Sequence, residues 1–394
     1  MNEDINRIKD HIFKNMQDNQ AIDDNLIIEE IENHVFNDSC FTGKSLSEKA
    51  GLIKTACNLI VGYNKIQELM DDDDISEIMI NKNKVFYEKG GVIFRWQDTI
   101  SDDEVALIIQ KIGEKSNRSV NSLQPISDAS VEGGLRTNTV LFPISVDGNI
   151  ITIRKFPKNP FTSQRLIENM FLDEKTLLFL KMLVKAKYNL FICGGAGSGK
   201  TTLLNVLSEF IDSNERIITI EDSVELSISH IDNLIRLEAR KANSEGKGEV
   251  SIEQLIKTSL RMRPDRIIVG EVRGREALDM LQAMNTGHDG SISTGHSNSC
   301  RDMISRLETM ILSGKEIPLR AIRNQIRNAI DIFIFVSRQN QRRVLYEICE
   351  VIKDDHTDIR LNSIMQYNRK TDQFEITSEF NNIEKLEGYQ YVKS

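Results

Sequence analysis

The chain opens with helical periodicity. Apolar residues recur every three to four positions over residues 21–35 and 46–70, predicting an N-terminal helical extension over 1–74. Residues 38–43 between them predict a turn, and the run Asp71-Asp72-Asp73-Asp74 reads as a solvated helix end or turn. The pattern then changes to short strands over 75–80, 84–88 and 92–96, separated by Asn81-Lys82-Asn83 and Gly90-Gly91. A helix is predicted over 102–114 and strands over 138–142 and 149–154. Together they predict a small α+β domain over 75–156.

Phe156-Pro157-Lys158-Asn159-Pro160 holds two of the six prolines, so residues 157–172 read as a linker that ends in a short helix over 163–169. From 173 to 394 strands and helices alternate. Asp173 caps a helix whose Leu177, Leu180, Leu183 and Val184 share a face. A strand over 189–193 leads into a glycine-rich loop and a helix. Further strands are predicted over 216–221, 266–270 and 291–293. Ser251 and Gln254 form a capping box that opens a helix reaching 262. This alternation predicts an α/β domain with a doubly wound, mostly parallel sheet.

Composition narrows the function classes. The 394 residues carry a net charge of −9, and residues 1–30 hold eight acidic and three basic side chains. A protein living on nucleic-acid phosphates would carry a basic footprint instead. The most apolar stretch, 177–193, is interrupted by Lys181, Lys185 and Lys187, so no membrane span is expected. The first residues do not read as a signal peptide. Five cysteines, Cys40, Cys57, Cys193, Cys300 and Cys349, are widely spaced with no CxxC pair and read as reduced thiols.

The candidate chemistry starts at Gly194-Gly195-Ala196-Gly197-Ser198-Gly199-Lys200-Thr201, followed by Thr202. This is a full G-x-x-x-x-G-K-[ST] loop between an apolar strand and a helix. Its amides can cradle phosphates, Lys200 can reach the β- and γ-phosphates, and Thr201 can ligate Mg²⁺. Arg266-Ile267-Ile268-Val269-Gly270-Glu271 delivers Glu271 at a strand end, with Gly270 where the usual Walker B places Asp. Glu271 can orient water, support Mg²⁺, or both. Glu221 ends the strand over 216–221 and is the candidate for positioning the attacking water, with Glu225 nearby; Thr201, Glu221 and Glu271 are the candidate Mg²⁺ set. His288 and His296 lie in glycine-flanked turns at the two ends of a short strand and read as a sensor pair, with no third ligand at zinc spacing. Arg136, Arg154, Arg236, Arg240, Arg261, Arg263 and Arg273 are candidates for contacting the γ-phosphate.

These motifs, with Arg236-Leu237-Glu238-Ala239-Arg240, the segment 245–250 and the run 278–296, resemble the secretion-superfamily ATPases of type II secretion, type IV pili and type IV secretion. Within them the chain is most similar to the CpaF (TadA) branch that drives tight-adherence (Flp) pili. The resemblance spans about residues 50–350. It implies ATP and Mg²⁺ as cofactors, a RecA-like nucleotide domain and a homo-hexameric ring. It also implies an inner-membrane platform protein as partner, at the cytoplasmic face of the membrane, with membrane association only through partners. Arg136 in Leu135-Arg136-Thr137-Asn138 and Arg154 in Thr152-Ile153-Arg154-Lys155-Phe156 are implied to help sense the γ-phosphate. Asp128-Ala129-Ser130-Val131 stands where the family has a basic residue, so one contact is missing. The lack of paired cysteines sets the chain apart from zinc-bearing type II motors. The alternatives are a type II or type IV secretion or conjugation ATPase, then a nucleic-acid translocase or a nucleotide-binding scaffold. A translocase would want aromatic stacking residues, yet aromatics make up 6% of the chain with a single tryptophan, Trp96. A scaffold would lack a catalytic carboxylate, yet Glu221 and Glu271 are both present.

Overall fold

The computed structural model describes residues 2–15, 24–116, 120–131, 134–155, 162–240, 242, 246–339, 342–354 and 356–387. The chain divides into two units, Met1–Lys158 and Asn159–Ser394. The proline-bearing segment read as the linker start, 156–160, lies outside the described residues, as do residues 21–23 of the first predicted helix.

The first unit begins with α1 (Asn2–Asn15), α2 (Asp24–Asn37), α3 (Leu46–Ile60) and the short α4 (Gln67–Asp71). α1 to α3 close a small core of Ile8, Ile12, Ile31, Val35, Phe41 and Leu52. α3 is fixed at its start by a reciprocal capping box between Ser45 and Glu48. The single helix expected over 46–70 is in fact broken. The chain turns at Gly62, where a side chain would strike Gln67 Oε1 at 2.5 Å. The acidic run forms the turn that follows, with Asp72 and Asp74 paired to Lys89 at 2.9 and 3.2 Å.

Then come β1 (Ile75–Asn81), β2 (Lys84–Lys89), β3 (Val92–Thr99), α5 (Asp102–Ser116), β4 (Ile126–Val131), β5 (Leu135–Val140) and β6 (Ile150–Lys155). They build one antiparallel sheet in the order β3-β2-β1-β6-β5-β4. The strand expected over 138–142 starts three residues earlier and stops before Leu141, two residues ahead of Pro143, which has no N–H to give a ladder. β4 was not expected. It carries Asp128, Ala129 and Ser130, residues of low strand propensity, and is held as a strand by pairing with β5.

The second unit runs α6 (Ser163–Glu168), α7 (Glu174–Lys185), β7 (Leu190–Gly194), α8 (Lys200–Ser208), β8 (Ile217–Glu221), β9 (Leu234–Glu238), α9 (Ile252–Ser259), β10 (Arg266–Val269), α10 (Ala277–Met284), β11 (Ile292–Gly295), α11 (Cys300–Leu312), α12 (Leu319–Ala329), β12 (Ile332–Gln339), β13 (Arg342–Ile352), β14 (Arg360–Asn368) and β15 (Gln373–Ile376). Its sheet order is β15-β14-β13-β12-β7-β11-β10-β8-β9. The six strands from β12 to β9 are parallel, and β13 to β15 add an antiparallel extension. Residues of β7, β8, β10 and β11 are buried without exception, as a parallel sheet covered on both faces requires. Separate apolar cores line the two faces, one around Phe191, Met303 and Phe333, the other around Leu180, Leu203 and Ile334. The capping box expected at Ser251 and Gln254 is present, but its helix ends at Ser259, not 262.

The end of the sheet away from the glycine-rich loop is pinned by a buried ion pair. Arg266 is fully buried and donates Nε and Nη2 to the two carboxylate oxygens of Glu215, both at 2.8 Å. Its Nη1 donates to the carbonyls of Val184 at 2.8 Å and Gly290 at 3.3 Å. One side chain thereby ties the ends of α7, β8, β10 and β11. A side chain at Gly290 would meet Arg266 Nη1 at 2.4 Å. Removing one partner strands a buried charge. Glu215→Gln is expected to lower unfolding stability by about 3–5 kcal/mol, measured by denaturant titration; a loss below about 1 kcal/mol would show that water reaches the pair.

Candidate functional site

All the pieces that approach each other lie at the C-terminal ends of parallel strands, where open α/β sheets bind ligands. β7 ends at Gly194 and α8 begins at Lys200, so the loop between them wraps the helix N-terminus. Gly197 and Gly199 take φ of +65° and +99°, a region costly for side-chain-bearing residues. A side chain at Gly194 would meet Val336 O at 2.3 Å and Ser198 Oγ at 2.7 Å, whereas Gly195 and Gly197 face open space. Lys200 is buried and folds back on the loop, donating Nζ to the carbonyls of Gly195 at 2.9 Å and Gly194 at 3.2 Å. Thr201 and Thr202 follow in the first turn of α8.

Lys200 Nζ also lies 3.4 Å from His296 Nδ1, and His296 Nε2 lies 2.7 Å from Glu271 Oε1. Burial and the Lys200 charge pull the His296 pKa below its ordinary value. A neutral ring can accept from Lys200 at Nδ1, while its Nε2 lies at ion-pair distance from Glu271 Oε1 without forming a hydrogen bond to it. Arg273 Nη2 donates to Glu271 Oε2 at 2.7 Å, and its Nη1 is 3.4 Å from Asp222 Oδ2. Burial alone would raise the Glu271 carboxyl, but Arg273, His296 and Lys200 outweigh it and hold the pKa below the usual range. Glu271 is therefore an ionised carboxylate at neutral pH.

Glu221 is the opposite case. It is only 3% exposed, and its Oε1 accepts from the amides of Glu225 at 2.9 Å and Leu226 at 3.0 Å. Its Oε2 is buried with no hydrogen-bond partner among the described residues. Burial outweighs the two amide bonds and pushes its pKa up to about 7, with the charge of Glu225 adding to the rise. Gly270 explains the room for it. A side chain there would meet Glu221 Cγ at 2.9 Å, so the position that usually carries Asp is occupied by the neighbouring strand's glutamate.

The open glycine cradle, the buried lysine and the orphaned Glu221 oxygen fit a nucleotide phosphate with its Mg²⁺. Thr201, Glu271 and Glu221 Oε2 are the groups that can hold or face the metal.

The other sequence candidates separate. His288 sits at the far end of β11, with Nδ1 3.2 Å from Ala283 O, so the two histidines are not a pair across one site. Arg236 donates to Leu226 O at 2.7 Å and Arg240 to Gly248 O at 2.6 Å. Arg261 lines a cleft with Gln254, Lys257 and Thr258. Arg263 holds a φ of +55° in the turn before β10. Of the second unit's candidate arginines, Arg273 contacts Glu271 and Asp222, while Arg236 acts on Glu221 through its charge. Arg136 and Arg154 belong to the first unit, where they face each other across β5 and β6. Two residues escaped the sequence. Arg343 on β13 donates Nε to Gly197 O at 2.8 Å, and Phe171 packs 3.0 Å from where a side chain at Gly199 would begin. Both contacts join segments remote in sequence, and no local spacing signals them.

A family model described as Type II/IV secretion system protein matches residues 126–382, more than half of the chain. The chain belongs to this family. It is 32% identical over 301 residues to VirB11 of Agrobacterium tumefaciens, across 68% of this chain and 87% of that protein. It is 43% identical over 245 residues to an uncharacterized protein of Methanocaldococcus jannaschii, across 60% of this chain and 34% of that protein. The chain thus spans about a third of that relative. The X-ray structure of the Legionella pneumophila ATPase DotB shares the fold, with a TM-score of 0.51 and 20% identity over 77% of this chain and 80% of that one. The secretion family's RecA-like α/β architecture is accordingly present. Among the described residues no helix is long and apolar enough to cross a membrane.

The raised Glu221 pKa has a signed consequence. A carboxyl with a higher pKa folded than unfolded adds stability that is full below pH 4.5 and lost as pH rises through about 7. Glu221→Gln cannot ionise and lacks this slope. Between those limits the stability difference is expected to move in favour of the variant by about 3 kcal/mol, read from denaturant unfolding at several pH values. Parallel curves would place a charged Glu221 in the folded chain.

Proposed function

We propose that the chain is a Mg²⁺-dependent ATPase acting as a motor of a homo-hexameric ring at the cytoplasmic face of a membrane. It drives assembly of a tight-adherence type pilus through an inner-membrane platform protein. The observation that carries this reading is the close approach of Lys200, His296 and Glu271 beside the glycine loop. It brings the group that would meet the γ-phosphate near the carboxylate that would orient water or metal. ATP would be bound by Gly194, Gly195, Ala196, Gly197, Ser198, Gly199, Lys200, Thr201 and Thr202, with Thr201, Glu221 and Glu271 as the groups that would hold Mg²⁺ and Glu221 and Glu271 as those that would position water. His296 reports the γ-phosphate by exchanging its contact with Lys200. The resemblance of 126–382 to the secretion family supports the motor, and that of the motif set to the CpaF branch supports the pilus. A second reading, a type IV secretion or conjugation motor, is favoured by the likeness to VirB11.

Steady-state ATPase activity measured against protein concentration, with light scattering for mass, tests the proposal. Turnover is expected to rise as a hexamer forms and to ignore added DNA. Lys200→Ala is expected to cut turnover by a factor of about 100 or more, since it removes the charge on the transferring phosphate. Near-normal activity in that variant, or stimulation by DNA, would overturn the reading.

Arg136 and Arg154 stand directly opposite on neighbouring antiparallel strands. Beyond Arg154 in the same row is Glu77. On the family resemblance of segments 135–138 and 152–156 alone, we propose that this pair senses the γ-phosphate. Arg154→Ala is expected to lower turnover at least about tenfold, or 1.4 kcal/mol of transition-state stabilisation, with an unchanged melting temperature. Unchanged kinetics would return Arg154 to a structural role.

A further inference from the structure

Three of the five cysteines converge in the second unit. Cys300 is the first residue of α11, and its thiol is flanked by those of Cys193 and Cys349. Cys349 lies on β13, and Glu347, two residues earlier, points to the same face. The sulfurs of Cys300 and Cys349 and a carboxylate oxygen of Glu347 all lie within 4.8 Å of one another. In a tetrahedral site with metal–sulfur bonds of about 2.3 Å, ligand atoms sit about 3.8 Å apart, so the three need only close by about an ångström. Both cysteines are at most 3% exposed, while Glu347 is half-buried and opens the cluster on one side. Ser363, paired with Cys349 across β14, donates Oγ to Glu347 Oε1 at 2.9 Å. That bond orients the carboxylate from outside, as ligating carboxylates require. Among the described residues no ion pair involves Glu347, so a carboxylate sits beside two thiols with no basic partner.

We infer that Cys300, Cys349 and Glu347 form a binding site for a thiophilic divalent cation of the Zn²⁺ class, with water as the fourth ligand. Two thiolates and a carboxylate select a borderline-soft ion over Mg²⁺, which demands oxygen ligands. Each thiol releases its proton to solvent as its metal–sulfur bond forms. The ion would tie the first residue of α11 to β13. That helix starts four residues after His296, so the metal would fix the downstream end of the loop that carries the histidine. The binding claim stands without the ATPase reading.

The test uses the full chain, reduced and stripped of metal, titrated with Co²⁺ alone. One equivalent is expected to give a thiolate-to-cobalt charge-transfer band and the intense visible bands of tetrahedral Co²⁺, both abolished by Zn²⁺. Co²⁺ on oxygen ligands near Thr201 would give only weak octahedral bands, and that result alone would overturn the inference. Cys300→Ser and Cys349→Ser are expected to lose the charge-transfer band, and Cys57→Ser to keep it. Ser363→Ala is expected to weaken Co²⁺ binding by about tenfold or more. If the buried cysteine variants do not fold, Glu347→Gln at its half-open position carries the test. Unchanged Co²⁺ affinity in that variant would overturn the inference.

Discussion

The contact that the site depends on is the one between Glu221 and Gly270. β8 and β10 run parallel and adjacent, and Gly270 donates its amide to Ile220 O at 2.8 Å. Any side chain at position 270 would collide with the Glu221 stem. With glycine there, one strand's carboxylate fills the space beside the other, away from water, and becomes a weak acid. The second carboxylate is pushed one residue along its strand, where it meets His296 and Arg273 and stays ionised. Two glutamates with opposite protonation habits thus arise from one missing side chain. Splitting pKa values in this way separates the roles of paired carboxylates.

The electrostatics divide along the sheet. At one end of the parallel strands, Arg266 and Glu215 neutralise each other in the dry core and donate nothing to chemistry. At the other end, Lys200, His296, Glu271, Arg273 and Asp222 form a row of alternating donors and acceptors. Each charge in this row has a partner among the described residues. Arg343, reaching from the antiparallel extension, holds the Gly197 carbonyl and ties that extension to the loop.

What was legible in the sequence is what is local. The loop from Gly194 to Thr201 states its geometry in eight consecutive residues. The strands on either side are continuous apolar runs because both faces of a parallel sheet are covered. The N-caps at Asp173 and Ser251 are set by side chains within three residues. Long-range facts were hidden. Gly270 read as a departure until the neighbouring strand supplied its reason. His288 and His296 read as a sensor pair at the two ends of one strand, but their partners, Ala283 O and Lys200 Nζ, come from elements that no spacing names. The strand β4 and the extension β13 to β15 carry many polar residues and take their form from pairing, which no spacing reveals.

Lys200 in the resting chain is hydrogen-bonded to the backbone of its own loop. The cavity is thus kept in shape by a built-in surrogate for the ligand. On the proposed function, nucleotide binding would be a substitution: the ammonium would exchange carbonyl dipoles for phosphate oxygens, and the carbonyls it leaves would turn to water. The net affinity reports the difference between two well-satisfied states.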